Sequence, residues 1–210
     1  MPTAWPNFFI VGAAKAGTTS MHRYLAQHPE IFMSKVKEPT FFATDLGLVT
    51  PWQDKGAYLS LFEDADDLPV RGESSPAYLL SSEAAQRIRT ASPGARILIL
   101  LRNPVDAVQA VFREARKFAL EPCRSFASAL AASDAGRPDL VDRPGGTWLR
   151  YREVVHYADQ VERYQKTFPR EQAVPTQGIQ LRRAPVERPR PACLSGAGLP
   201  VQPLRALFVA

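Results

Sequence analysis

A lysine and two threonines stand close together near the start of the chain, in the stretch Pro6 to Ser20, PNFFIVGAAKAGTTS. Lys15 supplies a positive charge, and Thr18 and Thr19 supply hydroxyl groups. The apolar run at 8–11 that precedes them predicts a buried strand, and the helical spacing of the residues that follow predicts a helix. A strand, a loop of small residues and a helix start present several backbone N–H groups to one anion. The stretch therefore predicts an anion-binding loop, with an ordinary glycine-bearing turn before a helix as the alternative.

The position of the lysine distinguishes this loop from that of an ATPase or kinase. Gly12 and Gly17 are spaced as in a Walker A loop, but Thr18 follows the second glycine, where a kinase needs lysine on the β/γ-phosphates. The pattern G-x-x-K-x-G-T-T resembles the 5′-phosphosulfate loop of sulfotransferases that use PAPS (3′-phosphoadenosine 5′-phosphosulfate). The resemblance implies that Lys15 neutralises the charge that develops on the leaving oxygen. It also implies that one run of residues holds the phosphosulfate: Ala14, Lys15, Ala16, Gly17, Thr18 and Thr19.

Two carboxylates are candidates for the base that takes the acceptor's proton. Glu38 lies in K-E-P-x-F-F, which resembles the loop after the first helix in the heparan-sulfate-type and bacterial branch of these enzymes. Glu73 lies in a segment similar to the family's G-E-x-S-P-x-Y, at a strand end. Each also has a structural interpretation, Glu38 as a surface residue in a turn and Glu73 as a carboxylate that ties its loop to backbone N–H groups. The sequence leaves both open, because a general base is defined by geometry.

A further motif, Arg102-Asn103-Pro104, ends the apolar run at 96–101. It resembles the family's R-[DN]-P strand end, whose arginine binds the nucleotide's 3′-phosphate together with a serine eight positions later. A guanidinium matches phosphate oxygens in a bidentate way, so Arg102 fits this role. The serine position is Ala110 here, and losing one hydrogen bond to a charged group costs about 1.5–3 kcal/mol, which predicts weaker phosphate binding. The alternative for Arg102 is an ion pair with a helix acid.

Charge and proline content divide the chain at residue 172. Residues 173–210 contain five arginines, one acid and six of the 19 prolines, so most of the net charge of +5 lies there. We expect a sulfotransferase-like P-loop domain at 1–172, incomplete on its C-terminal side, followed by an atypical Pro/Arg-rich tail at 173–210, with a translated alternative frame and a divergent disordered extension as its two interpretations. The tail has no interleaved aromatic residues, which argues against nucleic-acid binding.

The apolar runs predict an α/β fold. A mostly parallel sheet is expected from the runs near 8–11, 31–33, 70–73 and 96–101, in a P-loop-like three-layer arrangement with helices on both faces. Helices are expected at 104–120 and 125–132 and as one long helix at 147–168.

The resemblance implies a PAPS-dependent sulfotransferase that acts on a hydroxyl or amine of a small-molecule, lipid-linked or carbohydrate acceptor, with no metal cofactor. No signal peptide and no apolar run of about 20 residues is found, so a cytoplasmic protein without a membrane span is expected. Two alternatives remain. One is a catalytically impaired or truncated relative, suggested by Ala110 and the atypical tail, and the other is a P-loop nucleotide kinase.

Overall fold

The part of the chain that the structure describes contains a sheet of five parallel strands. The computed structural model describes residues 5–65, 68–137 and 143–177. The strand order is β2-β3-β1-β4-β5, and every neighbouring pair is parallel. The strands are β1 (Phe8–Gly12), β2 (Ile31–Met33), β3 (Val70–Ser74), β4 (Arg96–Leu101) and β5 (Ala173–Gln177).

Helices connect the strands and follow them along the chain. The helices are α1 (Thr18–Leu25), α2 (Lys55–Ser60), α3 (Ala77–Leu80), α4 (Ala84–Ala91), α5 (Pro104–Lys117), α6 (Phe126–Asp134), α7 (Tyr151–Val154) and α8 (Tyr157–Thr167). Short 3₁₀ helices lie at Thr44–Leu46, Glu63–Ala65 and Gly146–Leu149. In the ranges that the structure describes, no helix is both long and apolar enough to cross a bilayer.

The core follows from the apolar runs. All five residues of β1 are buried, as are Ile97–Leu100 of β4, which is typical of strands covered on both faces. The α/β fold and the four expected strands are thus confirmed. The chain leaves β1 for β2 and β3 on one side and then crosses to β4 and β5 on the other. Ligands of such sheets bind at the carboxyl ends of the strands beside this reversal, which here are the ends of β1, β3 and β4.

The sheet continues beyond residue 172, where the family resemblance had been expected to stop. Residues Ala173–Gln177 form β5 and pair with β4, with Pro175 opposite Ile99. A proline cannot donate to a ladder, and it is accommodated here because β5 is the outermost described strand on this side of the sheet. The fold therefore includes at least these five residues of the expected tail, and the remainder, 178–210, lies outside the described residues.

The prediction of a single helix at 147–168 is wrong. The segment is a 3₁₀ turn followed by α7 and α8, with a break at Val155 and His156. At the break the Glu153 carbonyl accepts from the His156 N–H at 3.2 Å, and the Gln160 side chain also donates to it at 2.7 Å. The break also makes Tyr157 the first residue of a new helix.

Candidate active site

The anion loop joins the carboxyl end of β1 to α1. Gly12 is required where the loop begins, because a Cβ there would lie 2.5 Å from the Cβ of Leu79. The Ala13 N–H donates to the Leu100 carbonyl of β4, which holds the loop against the sheet. Lys15 and Gly17 have φ of 60° and 93°, so the loop turns twice through the left-handed region. No described side chain caps α1, so its first N–H groups are available to an anion.

A cavity of about 430 Å³ opens beside this loop. Six of the residues singled out in the sequence line it: Ala14, Lys15, Gly17, Thr18, Thr19 and Glu38. Four others do not. Ala16 and Ala110 are buried at 8 % exposure, Glu73 is fully buried, and Arg102 lies outside the lining.

Lys15 is held at the cavity by an acid that sequence reasoning missed. Its Nζ lies 3.1 Å from Oε2 of Glu114 on α5, and both side chains are partly exposed. Glu114 itself lines the cavity. It follows the buried Ala110 by one helical turn, but no local pattern marked it, because its partner is 99 positions away.

Glu38 is presented to the cavity by a loop that runs beside the end of β3. Its N–H donates to the Ser74 carbonyl at 3.0 Å, and its φ of 63° lies in the left-handed region. The carboxylate pairs with the Lys37 ammonium at 2.6 Å and is half-exposed. The aromatic residues that follow anchor the loop, since Phe42 is 2 % exposed and Phe41 stacks on Tyr58 at 4.3 Å between ring centroids. Strain at a loop residue that lines a cavity is common at functional sites.

Glu73 lies beneath the site. Its Oε1 accepts hydrogen bonds from the hydroxyls of Tyr58 at 2.6 Å and Tyr78 at 2.7 Å, and its Oε2 accepts one from Ser75 at 2.7 Å. Burial raises the pKa of Glu73 above its usual range, and these hydrogen bonds only partly oppose the shift. The structure does not bring Glu73 to the cavity, so the geometry fits its structural interpretation, although with hydroxyl rather than backbone donors.

Arg102 contacts the anion loop from the end of β4. Its Nη1 donates to the Lys15 carbonyl at 3.0 Å, and the side chain is otherwise exposed. Among the described residues no salt bridge includes Arg102, so the alternative of a helix-acid partner has no support there. Ala110, at the position where the sequence resemblance expects a serine, is a buried residue of α5 and offers no hydroxyl.

Tyr157 is a second residue that the sequence did not reveal. Its hydroxyl is buried and has no hydrogen-bond partner among the described residues. Burial raises the pKa of Tyr157 to about 12, and the nearby charge of Arg102 works against that shift. A buried hydroxyl without a partner costs free energy, so Tyr157 is a candidate to hydrogen-bond a bound ligand.

The fold and the site together define an α/β protein with a candidate anion-binding loop at the strand ends beside β1. No protein-family model matches the chain. A crystal structure of a sulfotransferase from Alicyclobacillus acidocaldarius superposes with a TM-score of 0.73 at 37% identity, over 83% of this chain and 73% of that one. The chain therefore belongs to the sulfotransferase family.

The curated relatives are also sulfotransferases, but they are longer than this chain. Membrane-associated sulfotransferase kil1 of Dictyostelium discoideum is 31% identical over 48% of this chain, and human heparan sulfate glucosamine 3-O-sulfotransferase 6 is 29% identical over 73% of it. The matches span only 21% and 45% of the lengths of those two proteins.

Proposed function

We propose that this protein transfers a sulfuryl group from PAPS to a hydroxyl or amine of an acceptor. The observation that carries the proposal is one cavity that joins the anion loop, the ammonium of Lys15 and the carboxylate of Glu38. Family membership supports sulfuryl transfer in general, and the donor and the acceptor class are inferred from the residues.

The donor's two ends would be held by different parts of the site. The loop amides and the hydroxyls of Thr18 and Thr19 suit the 5′-phosphosulfate, since a helix start and a left-handed turn both present N–H groups to an anion. Arg102 suits the 3′-phosphate, and the unpartnered hydroxyl of Tyr157 beside it suits a polar atom of the nucleoside. Without a hydroxyl at Ala110, we expect the 3′-phosphate to depend more heavily on Arg102.

In the proposed reaction the acceptor oxygen forms a new bond to sulfur while the bond from sulfur to the bridging phosphate oxygen breaks. The acceptor's proton passes to the carboxylate of Glu38, which faces the cavity, rather than to the buried Glu73. Lys15 neutralises the charge that develops on the bridging oxygen. For this it exchanges its present partner, Glu114, for the donor. Lys37 fixes the direction of the Glu38 carboxylate through their 2.6 Å ion pair.

Replacing Lys15 tests this mechanism. Lys15→Ala is expected to lower the release of PAP from PAPS, measured with a mixed panel of acceptors, by about 10²–10³-fold, because it removes a preorganised charge from the transition state. Lys35→Ala is the matched control, since its ammonium is 79% exposed and pairs with Asp64 away from the cavity lining. Turnover by Lys15→Ala at the level of the control would contradict the mechanism. Magnesium-dependent transfer from ATP would instead favour a kinase.

A further inference from the structure

Much of the cavity lining outside the anion loop is apolar. We call this part the apolar wall, and it consists of Pro76, Val111, Ala115, Phe118, Leu120 and Trp148. Val111 and Ala115 lie one turn apart on α5, and Phe118 follows its last residue. A small-molecule site of this kind binds the body of its ligand by burying apolar surface, and a few polar groups orient it.

Two residues of the apolar wall are unusually exposed. Phe118 is 61% exposed and Leu120 is 38% exposed, and they are two of the five large apolar side chains that are exposed in the described ranges. Both are at the cavity rather than scattered over the surface. Exposed apolar side chains that cluster at a cavity indicate a binding site, because a bound ligand would exclude water from them.

The charged groups of the cavity do not favour a second anion. The described lining contains Lys15, Glu38 and Glu114, which is one positive charge against two negative charges. When Lys15 turns to the donor, Glu114 loses the ammonium that now lies 3.1 Å away. An acceptor that carried a carboxylate or sulfate into the cavity would then meet Glu114 without its ammonium, and Glu38 already paired with Lys37 at 2.6 Å. The Lys117 ammonium, 5.4 Å from the Phe118 ring centroid, lies outside the described lining. Arginine and lysine, the usual partners of such groups, are otherwise absent from that lining.

From these observations we infer that the acceptor is a small uncharged phenol or hydrophobic alcohol, and not an anionic oligosaccharide. This inference rests on the proposed function. The apolar body of the acceptor lies against Phe118, Leu120 and Trp148, and its hydroxyl points toward Glu38 and the anion loop.

Two phenols that differ in charge test the inference directly. 4-Ethylphenol and 3-(4-hydroxyphenyl)propanoate share the reacting ring, but only the second carries a carboxylate at neutral pH. Their binding to the full chain is measured by saturation-transfer NMR, with saturating PAP present and without it, so that no turnover is needed. We expect 4-ethylphenol to bind at least about tenfold more tightly than the propanoate when PAP is bound, because like charges repel in a partly desolvated site.

Variants of exposed residues locate the binding. Phe118→Ser is expected to weaken 4-ethylphenol binding about five- to tenfold, since it removes apolar surface from the cavity mouth. Val49→Ser is the control, because Val49 is 82% exposed and does not line the cavity. Both residues are largely solvated, so neither change is expected to unfold the protein.

The same samples are titrated with PAP, which separates two kinds of failure. If PAP binds but the propanoate binds as tightly as 4-ethylphenol, the acceptor inference is overturned and the proposed function stands. Displacement of 4-ethylphenol by a heparan sulfate oligosaccharide, or no phenol binding at about 1 mM, would also overturn the acceptor inference and leave the proposed function standing. If PAP does not bind, the proposed function fails and the acceptor inference fails with it.

Discussion

Glu38 and Glu73 are expected to respond to substitution in opposite ways. Glu73→Ala leaves the hydroxyls of Tyr58, Ser75 and Tyr78 without their shared acceptor, and all three residues are fully buried. An unsatisfied buried hydroxyl costs about 1–3 kcal/mol, so the set costs roughly 3–6 kcal/mol once water in the vacated space satisfies part of it. That is a large share of the roughly 5–15 kcal/mol by which domains are stable.

Glu38→Ala removes only an exposed ion pair with Lys37. Its carboxylate is 50% exposed, and surface ion pairs contribute about 0–1 kcal/mol, so the free energy of unfolding is expected to change little. Turnover of PAPS, in contrast, is expected to fall about 10²–10⁴-fold, because the proton acceptor is lost.

The assay combines urea unfolding, followed by circular dichroism, with PAP release from PAPS on the same preparations. Glu38→Gln and Glu73→Gln accompany the alanine variants, because the amide keeps the shape of each side chain and removes its charge. The assignment would be refuted if Glu73→Gln folded with wild-type stability and lost turnover while Glu38→Gln kept it. Glu73 would then be the base.

Two further predictions concern the loop and its surroundings. Gly12→Ala is expected to destabilise the protein by about 1–3 kcal/mol, since its Cβ would meet Leu79, whereas Gly94→Ala, which meets nothing within 4 Å, serves as the control in thermal unfolding. Asp45 is exposed, and the partial desolvation of its carboxylate raises its pKa, but hydrogen bonds from Ser81 and Ser82 outweigh this effect and hold the pKa below its ordinary value. Because the folded pKa is the lower one, its contribution is present above the unfolded pKa and lost as pH falls through the folded value. Asp45→Asn is thus expected to cost about 0.5–1 kcal/mol in urea unfolding at pH 7, a difference that shrinks toward pH 3, and a constant difference would contradict the assigned shift.

The parts of the fold that the sequence predicted are those determined by local pattern. The run at 8–11, the loop with Lys15 and the hydroxyl-rich start of α1 are contiguous, so spacing alone placed them at one strand end. The strand that ends before Arg102 was equally clear, because an unbroken apolar run is typical of a strand covered on both faces. Their meeting at one edge follows from the parallel sheet.

The features that the sequence did not reveal depend on partners from distant elements. Strand β5 was missed because Pro175 argues against a central strand, and only the sheet order shows that it is outermost among the described strands on its side. The break before α8 is accompanied by a hydrogen bond from the Gln160 side chain to the Glu153 carbonyl, which also accepts from the His156 N–H. The roles inferred for Glu114 and Tyr157 depend on Lys15 and Arg102, which are distant from them in the sequence.

The central claim is that the anion loop and Arg102 bind a 3′,5′-bisphosphorylated nucleotide. The most direct test is calorimetric titration of the wild-type protein and of Arg102→Ala with PAP and with ADP plus Mg²⁺. We predict micromolar PAP binding by the wild type, about tenfold or weaker binding of ADP, and loss of that preference in Arg102→Ala. Binding of ADP as tight as that of PAP, or an unchanged preference in the variant, would contradict the assignment of Arg102 to the 3′-phosphate and with it the proposed donor.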